Sequence, residues 1–81
     1  MKVRILSAME KVFEGEALEV ILPADGGQIS VLDFHEPCLC RLRKGLIRVR
    51  FAARDKEALK LGVIFGMAKI LPREIAILLE T

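Results

Sequence analysis

The sequence predicts an all-β fold, a small antiparallel β-sandwich or flattened barrel of about nine or ten short strands. Apolar residues alternate with polar ones at a period of two in several segments, the spacing of a strand with one buried face. Each alternating segment ends at glycine, proline or aspartate, which favour turns. Many short strands separated by such turns are typical of sandwiches and barrels.

Nine segments carry this pattern. In chain order, the predicted strands are Lys2 to Leu6, Lys11 to Gly15, Ala17 to Leu22, Gln28 to Leu32, Cys38 to Arg43, Leu46 to Phe51, Glu57 to Leu61, Gly66 to Leu71 and Ile75 to Leu79. The last strand is apolar on both faces, so it should be central or lie under a partner. For residues 55–61 the alternative is two turns of helix, with Glu57 and Leu61 on one face.

Four turns are predicted between these strands. Asp25-Gly26-Gly27 predicts a hairpin because glycine accepts positive φ without steric cost. Lys44-Gly45 predicts a second turn of this kind, and Arg54-Asp55-Lys56 a polar third one. In Leu71-Pro72-Arg73-Glu74, proline presets φ for the first inner position of a fourth turn.

Length and composition limit the class of protein. The 81 residues are expected to form one domain, residues 1–81. Hydrophobic residues make up 53 % of the chain, so some apolar surface is expected to meet a partner. The uncharged run from Leu61 to Ala68 is far shorter than the roughly 20 residues of a membrane helix. The N-terminus lacks the apolar region of a signal peptide, which predicts either a cytoplasmic protein or a mature form whose targeting segment is not part of this sequence.

The single histidine and both cysteines lie close together in H-x-x-C-x-C, formed by His35, Cys38 and Cys40. A structural zinc site usually has four ligands in two pairs, and the sequence has no second pair. Asp33 or Glu36 could supply a fourth ligand. A straight strand, however, holds the two cysteines too rigidly for them to surround a tetrahedral ion together with His35. We therefore predict free thiols, no metal and, because no third group orients a Cys/His pair, no catalysis.

A basic segment covers residues 41–54. Its cationic residues are Arg41, Arg43, Lys44, Arg48, Arg50 and Arg54. Alternation predicts a hairpin with one cationic and one buried side. One hypothesis is that this hairpin of a free-standing β-barrel binds the nucleic-acid backbone. The favoured interpretation is a solvated face balanced by acidic strands, because the chain has no Trp or Tyr to stack on bases and its net charge is only +2.

Taken in order, the motifs resemble the N-terminal β-sandwich domain of the epsilon subunit of rotary (F-type) ATP synthase, called delta in mitochondria. The matching segments are Ser7-Ala8, Val12 to Gly15, Pro23 to Ile29, His35-x-Pro37, Leu39, Leu42 to Val49, Gly66 to Pro72 and Ile75 to Leu78. The sequence departs from the family at Gln28, usually acidic, and at Ser30, usually glycine. It also departs within Leu32 to Pro37, where the family has P-G-H-A-P, and within Ile64 to Gly66, where it has Ser-Gly-Gly.

The resemblance implies a non-catalytic subunit of the central stalk without a cofactor. It would link gamma to the membrane rotor ring of c subunits and couple proton or sodium flow to ATP synthesis or hydrolysis. Such a subunit is peripheral, at the cytoplasmic face of the inner or plasma membrane, through the complex. Family members continue into a helical hairpin, which some use to bind ATP. Because this sequence stops at Thr81, we expect neither that hairpin nor an ATP site here.

The resemblance also implies candidate interface residues. Ser7 and His35 match positions beside gamma, and Gln28 matches a position that faces the rotor ring. Asp25, Asp33 and Glu36 are included as their neighbours. For His35 the alternative is a capped loop histidine exposed to water.

Overall fold

A computed structural model describes residues 1–51 and 59–80, and nine strands run through them. The strands are β1 (Lys2–Ser7), β2 (Lys11–Glu16), β3 (Glu19–Ala24), β4 (Gly27–Val31), β5 (Cys38–Leu42), β6 (Gly45–Arg50), β7 (Leu59–Val63), β8 (Phe65–Leu71) and β9 (Glu74–Glu80). Every predicted strand is present, and its described ends differ from the prediction by at most two residues. The all-β prediction is confirmed.

One predicted strand and one turn fall partly or wholly outside the described residues. The turn Arg54-Asp55-Lys56 lies outside them, as do the first two residues of the predicted strand Glu57 to Leu61 and most of the helical alternative. The described remainder of that segment belongs to β7 and is strand.

The strands form one curled sheet in the order β2-β1-β9-β8-β5-β3-β6-β7, with β4 paired to β3. The last strand is central, as predicted, because β9 pairs with β1 and with β8. Its pairing with β1 is parallel, in register from Lys2 opposite Glu74 to Ser7 opposite Leu79. The other pairings of the described strands are antiparallel. Alternation alone could not reveal the parallel pair, since both kinds of strand have a period of two.

The hairpin predicted at Lys44-Gly45 is wrong. β5 and β6 both run antiparallel to β3, so they run in the same direction and the chain does not reverse between them. It bends there instead, as strands do where they pass from one layer of a sandwich to the other. Gly45 allows this bend because a Cβ at this position would lie 2.8 Å from Cβ of Pro23.

The two other described turns are confirmed. Ala24 pairs with Gly27 across a two-residue turn, and Gly26 and Gly27 have φ of 87° and 136°. Leu71 pairs with Glu74 across Pro72-Arg73. The inward side chains of all the strands meet in an aliphatic core. Its largest fully buried members are Ile5, Leu22, Leu42, Ile47, Ile70, Ile75, Ile77, Val3, Val20, Val31 and Val49.

Candidate interaction surfaces

The solvent side of β1, β9, β8 and β5 carries exposed apolar side chains. We call it the outer apolar face and define it by Leu6, Leu39, Met67, Ala76 and Leu78. Leu39 is 67 % exposed, Leu78 56 % and Met67 37 %. Leu78 lies opposite Leu6 on β1 and opposite Met67 on β8, so these side chains are adjacent across three strands. An apolar cluster of this kind is typical of a partner contact.

Two open hollows shape this face. The larger, of about 500 Å³, lies between Phe65, Met67 and Leu78. The smaller, of about 320 Å³, lies between Leu39, Met67 and Leu78, with Lys69 at its rim. Lys69 pairs with Leu39 and Arg41 with Met67, so cations alternate with apolar groups here. The face therefore offers apolar contact together with sites for a partner's carboxylates.

The six candidate residues divide between two ends of the sheet. The pairing register places Ser7 in a row with Leu79, Gly66, Leu42 and Ala24. Asp25 is the residue after Ala24, and Gln28 pairs with Pro23, the residue before it. Both therefore lie next to this row, which we call the Gln28 end. Asp33, His35 and Glu36 lie beside Pro72 at the other end of β8, because Phe34 donates its backbone N–H to the carbonyl of Pro72. We call this the His35 end, and the two are roughly 20 Å apart at about 3.3 Å per residue.

At the Gln28 end, backbone hydrogen bonds hold the candidates in place. Asp25 donates its N–H to the carbonyl of Arg41 at 3.1 Å, and its carboxylate lies 3.8 Å from Nε of Arg43. Gln28 pairs with Pro23 and is exposed. Ser7 accepts a hydrogen bond from the N–H of Glu10 at 3.3 Å, which closes the turn between β1 and β2. The side chain of Gln28 is thus free for contact, while Asp25 and Ser7 also stabilise turns.

At the His35 end, the loop between β4 and β5 is fixed by ionic and polar contacts. The carboxylate of Asp33 lies 3.0 Å from the α-amine of Met1, which also donates to the carbonyl of Ala17 at 2.8 Å. Nδ1 of His35 lies 2.9 Å from the carbonyl oxygen of Glu36, so a protonated Nδ1 donates to it. His35 is half-buried and leaves Nε2 for another partner, whereas Glu36 is exposed.

A polar network on β3 ties three strands together. Arg50 donates through Nε and Nη2 to the carboxylate of Glu19 at 3.0 and 2.9 Å, and Ser30 donates to the same carboxylate. The hydrogen bonds from Ser30 and Arg50 hold the pKa of Glu19 below its usual value of 4.5. The charged form of Glu19 is therefore favoured in the folded state.

Replacing Glu19 with glutamine should lower the free energy of unfolding by about 1 kcal/mol at pH 7. Because folding lowers the pKa of Glu19, its contribution is complete above about pH 4.5 and is lost as pH falls through the folded-state pKa. Urea unfolding measures the difference in the free energy of unfolding between wild type and Glu19→Gln. This difference should be smaller at pH 3 than at pH 7. An equal difference at both pH values would contradict a stabilising role for the charged form of Glu19. Glu14, whose pKa Lys11 lowers, accounts for part of the acid sensitivity that remains.

The family model described as "ATP synthase, Delta/Epsilon chain, beta-sandwich domain" matches residues 1–81. The chain belongs to this family. The resemblance drawn from the ordered motifs is confirmed.

Relatives of this delta/epsilon domain include bacterial ATP synthase epsilon chains. That of Herminiimonas arsenicoxydans is 32 % identical over 81 residues, and epsilon chain 2 of Ralstonia nicotianae is 38 % identical over 81 residues. Each alignment covers 100 % of this chain and 57 % of the relative. The chain thus spans a little over half the length of these relatives.

Solved structures show the same fold at low sequence identity. A chain of the central stalk and c-ring structure of Tetrahymena thermophila mitochondrial ATP synthase superposes with a TM-score of 0.79 at 14 % identity, over 100 % of this chain and 63 % of that one. A chain of the Euglena gracilis mitochondrial ATP synthase gives 0.85 at 16 % identity, over 95 % and 48 %. The sandwich architecture of this delta/epsilon domain is therefore shared with both.

The basic segment of this delta/epsilon domain does not form one cationic side. Arg50 is paired with Glu19, and Arg43 lies near Asp25. Arg41 lies on the outer apolar face opposite Met67, whereas Arg48 lies on β6 opposite Lys60. Arg54 is outside the described residues. The predicted cationic hairpin is wrong because the chain bends between β5 and β6 and distributes these residues over different surfaces.

The thiols of this domain lie along β5. Cys38 pairs with Ile70 and Cys40 with Ala68, and both cysteines are free. Burial, together with Cys38, raises the pKa of the Cys40 thiol. Within residues 1–51 and 59–80, no three His, Cys, Asp or Glu side chains are close enough to hold a metal ion. The same residues contain no helix that could cross a membrane.

Sequence reasoning missed two contributors to the surface of this delta/epsilon domain. It treated Phe34 only as a departure from the family pattern and did not consider Arg73 beyond its turn. The guanidinium of Arg73 lies over the ring of Phe34, 5.0 Å from its centroid. Thirty-nine positions separate the two residues, so no local pattern could have indicated this pair.

Proposed function

We propose that this chain forms, as one domain, a non-catalytic part of the rotor of an ion-translocating ATP synthase, where it links gamma to the ring of c subunits. The outer apolar face carries this proposal. Leu39, Met67 and Leu78 lie side by side and exposed to solvent, which is unfavourable for apolar side chains in an isolated domain. A partner that covers them removes this cost. The central stalk of the family supplies such partners.

We propose that gamma lies along the outer apolar face. Ser7 follows Leu6 at one end of this face, and His35 lies at the other, so one extended partner can contact both. Asp33 and Glu36, beside His35, belong to the same contact. This arrangement explains how two candidates at opposite ends of the sheet can serve a single partner.

We propose that the Gln28 end contacts the rotor ring through Gln28 and Asp25. A part that transmits torque between two partners must not deform between them. The short turns and the pairing of β9 on both edges make this domain stiff. Association with the membrane is then peripheral, at the cytoplasmic face and through the complex.

The docking of gamma is tested with Leu78→Glu, which places a charge in the centre of the outer apolar face. Wild type mixed with the gamma subunit of its own organism should co-elute in size-exclusion chromatography, and Leu78→Glu should elute apart with an unchanged circular dichroism spectrum. Lys60→Glu, on exposed β7 away from this face, is the matched control and should co-elute. Separate elution of wild type and gamma would contradict the proposal.

The orientation is tested in the assembled ATP synthase with single cysteines, after replacing Cys38 and Cys40 with serine and alanine. Cross-links should join Gln28→Cys to the c ring, and Ser7→Cys and His35→Cys to gamma. A cross-link from His35→Cys to the ring would reverse the proposed orientation. No observation in the described residues favours a nucleic-acid-binding function instead.

A further inference from the structure

Phe34 adopts a backbone conformation that its side chain disfavours. Its φ is 65°, and it is the only non-glycine residue with positive φ in the described part of the chain. The side chain is nevertheless 69 % exposed, so it gains little from the core. An exposed aromatic ring in a strained position stabilises the isolated domain poorly, and such positions are concentrated at functional sites.

Two contacts hold the backbone at Phe34, and a third lies over its ring. The carboxylate of Asp33 is paired with the α-amine of Met1 at 3.0 Å, and the backbone N–H of Phe34 donates to the carbonyl of Pro72. The guanidinium of Arg73 lies 5.0 Å from the ring centroid. A segment whose backbone is already positioned in this way loses less conformational entropy when a partner binds it.

We propose that Phe34 and Arg73 together form a docking anchor, whose ring enters an apolar pocket of a protein partner while Arg73 meets a carboxylate at the rim of that pocket. Buried aromatic and arginine side chains supply most of the binding energy in protein interfaces. This inference rests on the proposed function, in which gamma covers the neighbouring residue His35. The partner is therefore the gamma subunit.

The charges around Phe34 indicate a protein rather than a lipid surface. Among residues 1–51 and 59–80, neither Arg73 nor Glu36 has an oppositely charged side chain within 4.0 Å. An anionic membrane would attract Arg73 but repel Glu36 next to the ring. A protein surface can offer a carboxylate and a hydrogen-bond donor on either side of one pocket.

The test compares Phe34→Gly and Phe34→Asn with wild type in binding to the purified gamma subunit, with thermal unfolding measured in parallel. Both replacements adopt positive φ more readily than phenylalanine. We expect at least about tenfold weaker binding to gamma for each, and a melting temperature equal to or above that of wild type. Leu46→Ala, which removes another apolar side chain, of 46 % exposure, on β6 and away from the outer apolar face, should bind like wild type.

The outcomes separate this inference from the proposed function. If wild type does not bind gamma, the proposed function fails and this inference fails with it. If wild type binds and both Phe34 variants bind equally well, only this inference is overturned. A melting temperature lowered by more than about 5 °C in both variants would show a structural role and also overturn it. So would Phe34-dependent binding to phosphatidylglycerol vesicles combined with unchanged binding to gamma.

Discussion

Replacing Gly66 with alanine should lower the free energy of unfolding by about 2 to 3 kcal/mol. Gly66 is buried in β8, and a Cβ there would lie 2.7 Å from the backbone oxygen of Leu78 and 3.4 Å from Cδ2 of Leu79. A backbone oxygen cannot rotate away as a flexible side chain can, so β8 and β9 would have to separate locally. A domain of this length is stable by only roughly 4 to 12 kcal/mol in total.

Gly62→Ala provides the matched control. Gly62 lies in β7, and a Cβ added there meets no atom within 4 Å. We expect the stability of this variant to differ from wild type by less than about 0.5 kcal/mol, or to rise slightly, because alanine reduces the entropy of the unfolded chain. Urea unfolding of the two variants under the same conditions measures the difference. Equal stability of Gly66→Ala and Gly62→Ala would refute the close approach of β8 to β9.

Replacing Ile77 with alanine should lower the free energy of unfolding by about 2 to 5 kcal/mol, a large share of the total stability. Ile77 is 1 % exposed and lies in the central strand β9, opposite Ile5 on β1 and Ala68 on β8. Removing its side chain leaves a cavity where two neighbouring strands limit any collapse. The effect should appear as a lower urea midpoint with an unchanged slope.

Leu78, the residue after Ile77, should contribute little to the stability of the domain. Leu78 is 56 % exposed on the outer apolar face, so Leu78→Ala should change the free energy of unfolding by less than about 1 kcal/mol. Binding to gamma should weaken in the same variant, because Leu78 lies at the centre of the proposed contact. A stability loss for Leu78→Ala as large as that for Ile77→Ala would show that the outer apolar face belongs to the core.

The sequence predicted the strands well because each strand has its own local signal. Alternation located β5 and β6 to within one residue, yet it gave no indication that the chain continues in one direction between them. Gly45 was taken as a turn glycine, whereas its role is the close approach to Pro23. Pairing partners and strand direction depend on residues far apart in the chain, which a local pattern does not contain.

The candidate site was predictable only in part for the same reason. The family resemblance supplied Gln28 and His35, and the structure shows that they lie at opposite ends of the sheet. The apolar pattern on both faces of β9 indicated that the strand is central or covered, but not that Leu78 meets Leu6 and Met67. Phe34 and Arg73 come together where the backbone N–H of Phe34 donates to the carbonyl of Pro72, a contact between residues far apart in the chain.

The parallel pairing of β1 with β9 affects how the chain is made. Lys2 pairs with Glu74, seventy-two positions later, so one edge of β1 stays without its final neighbour until β9 has been synthesised. At about 5 to 20 residues per second, that interval lasts roughly 4 to 14 s on the ribosome. During this time an apolar strand edge is open to other chains. Closure of the sheet therefore has to follow the synthesis of β9, and until then this edge of β1 is a place where other chains can add.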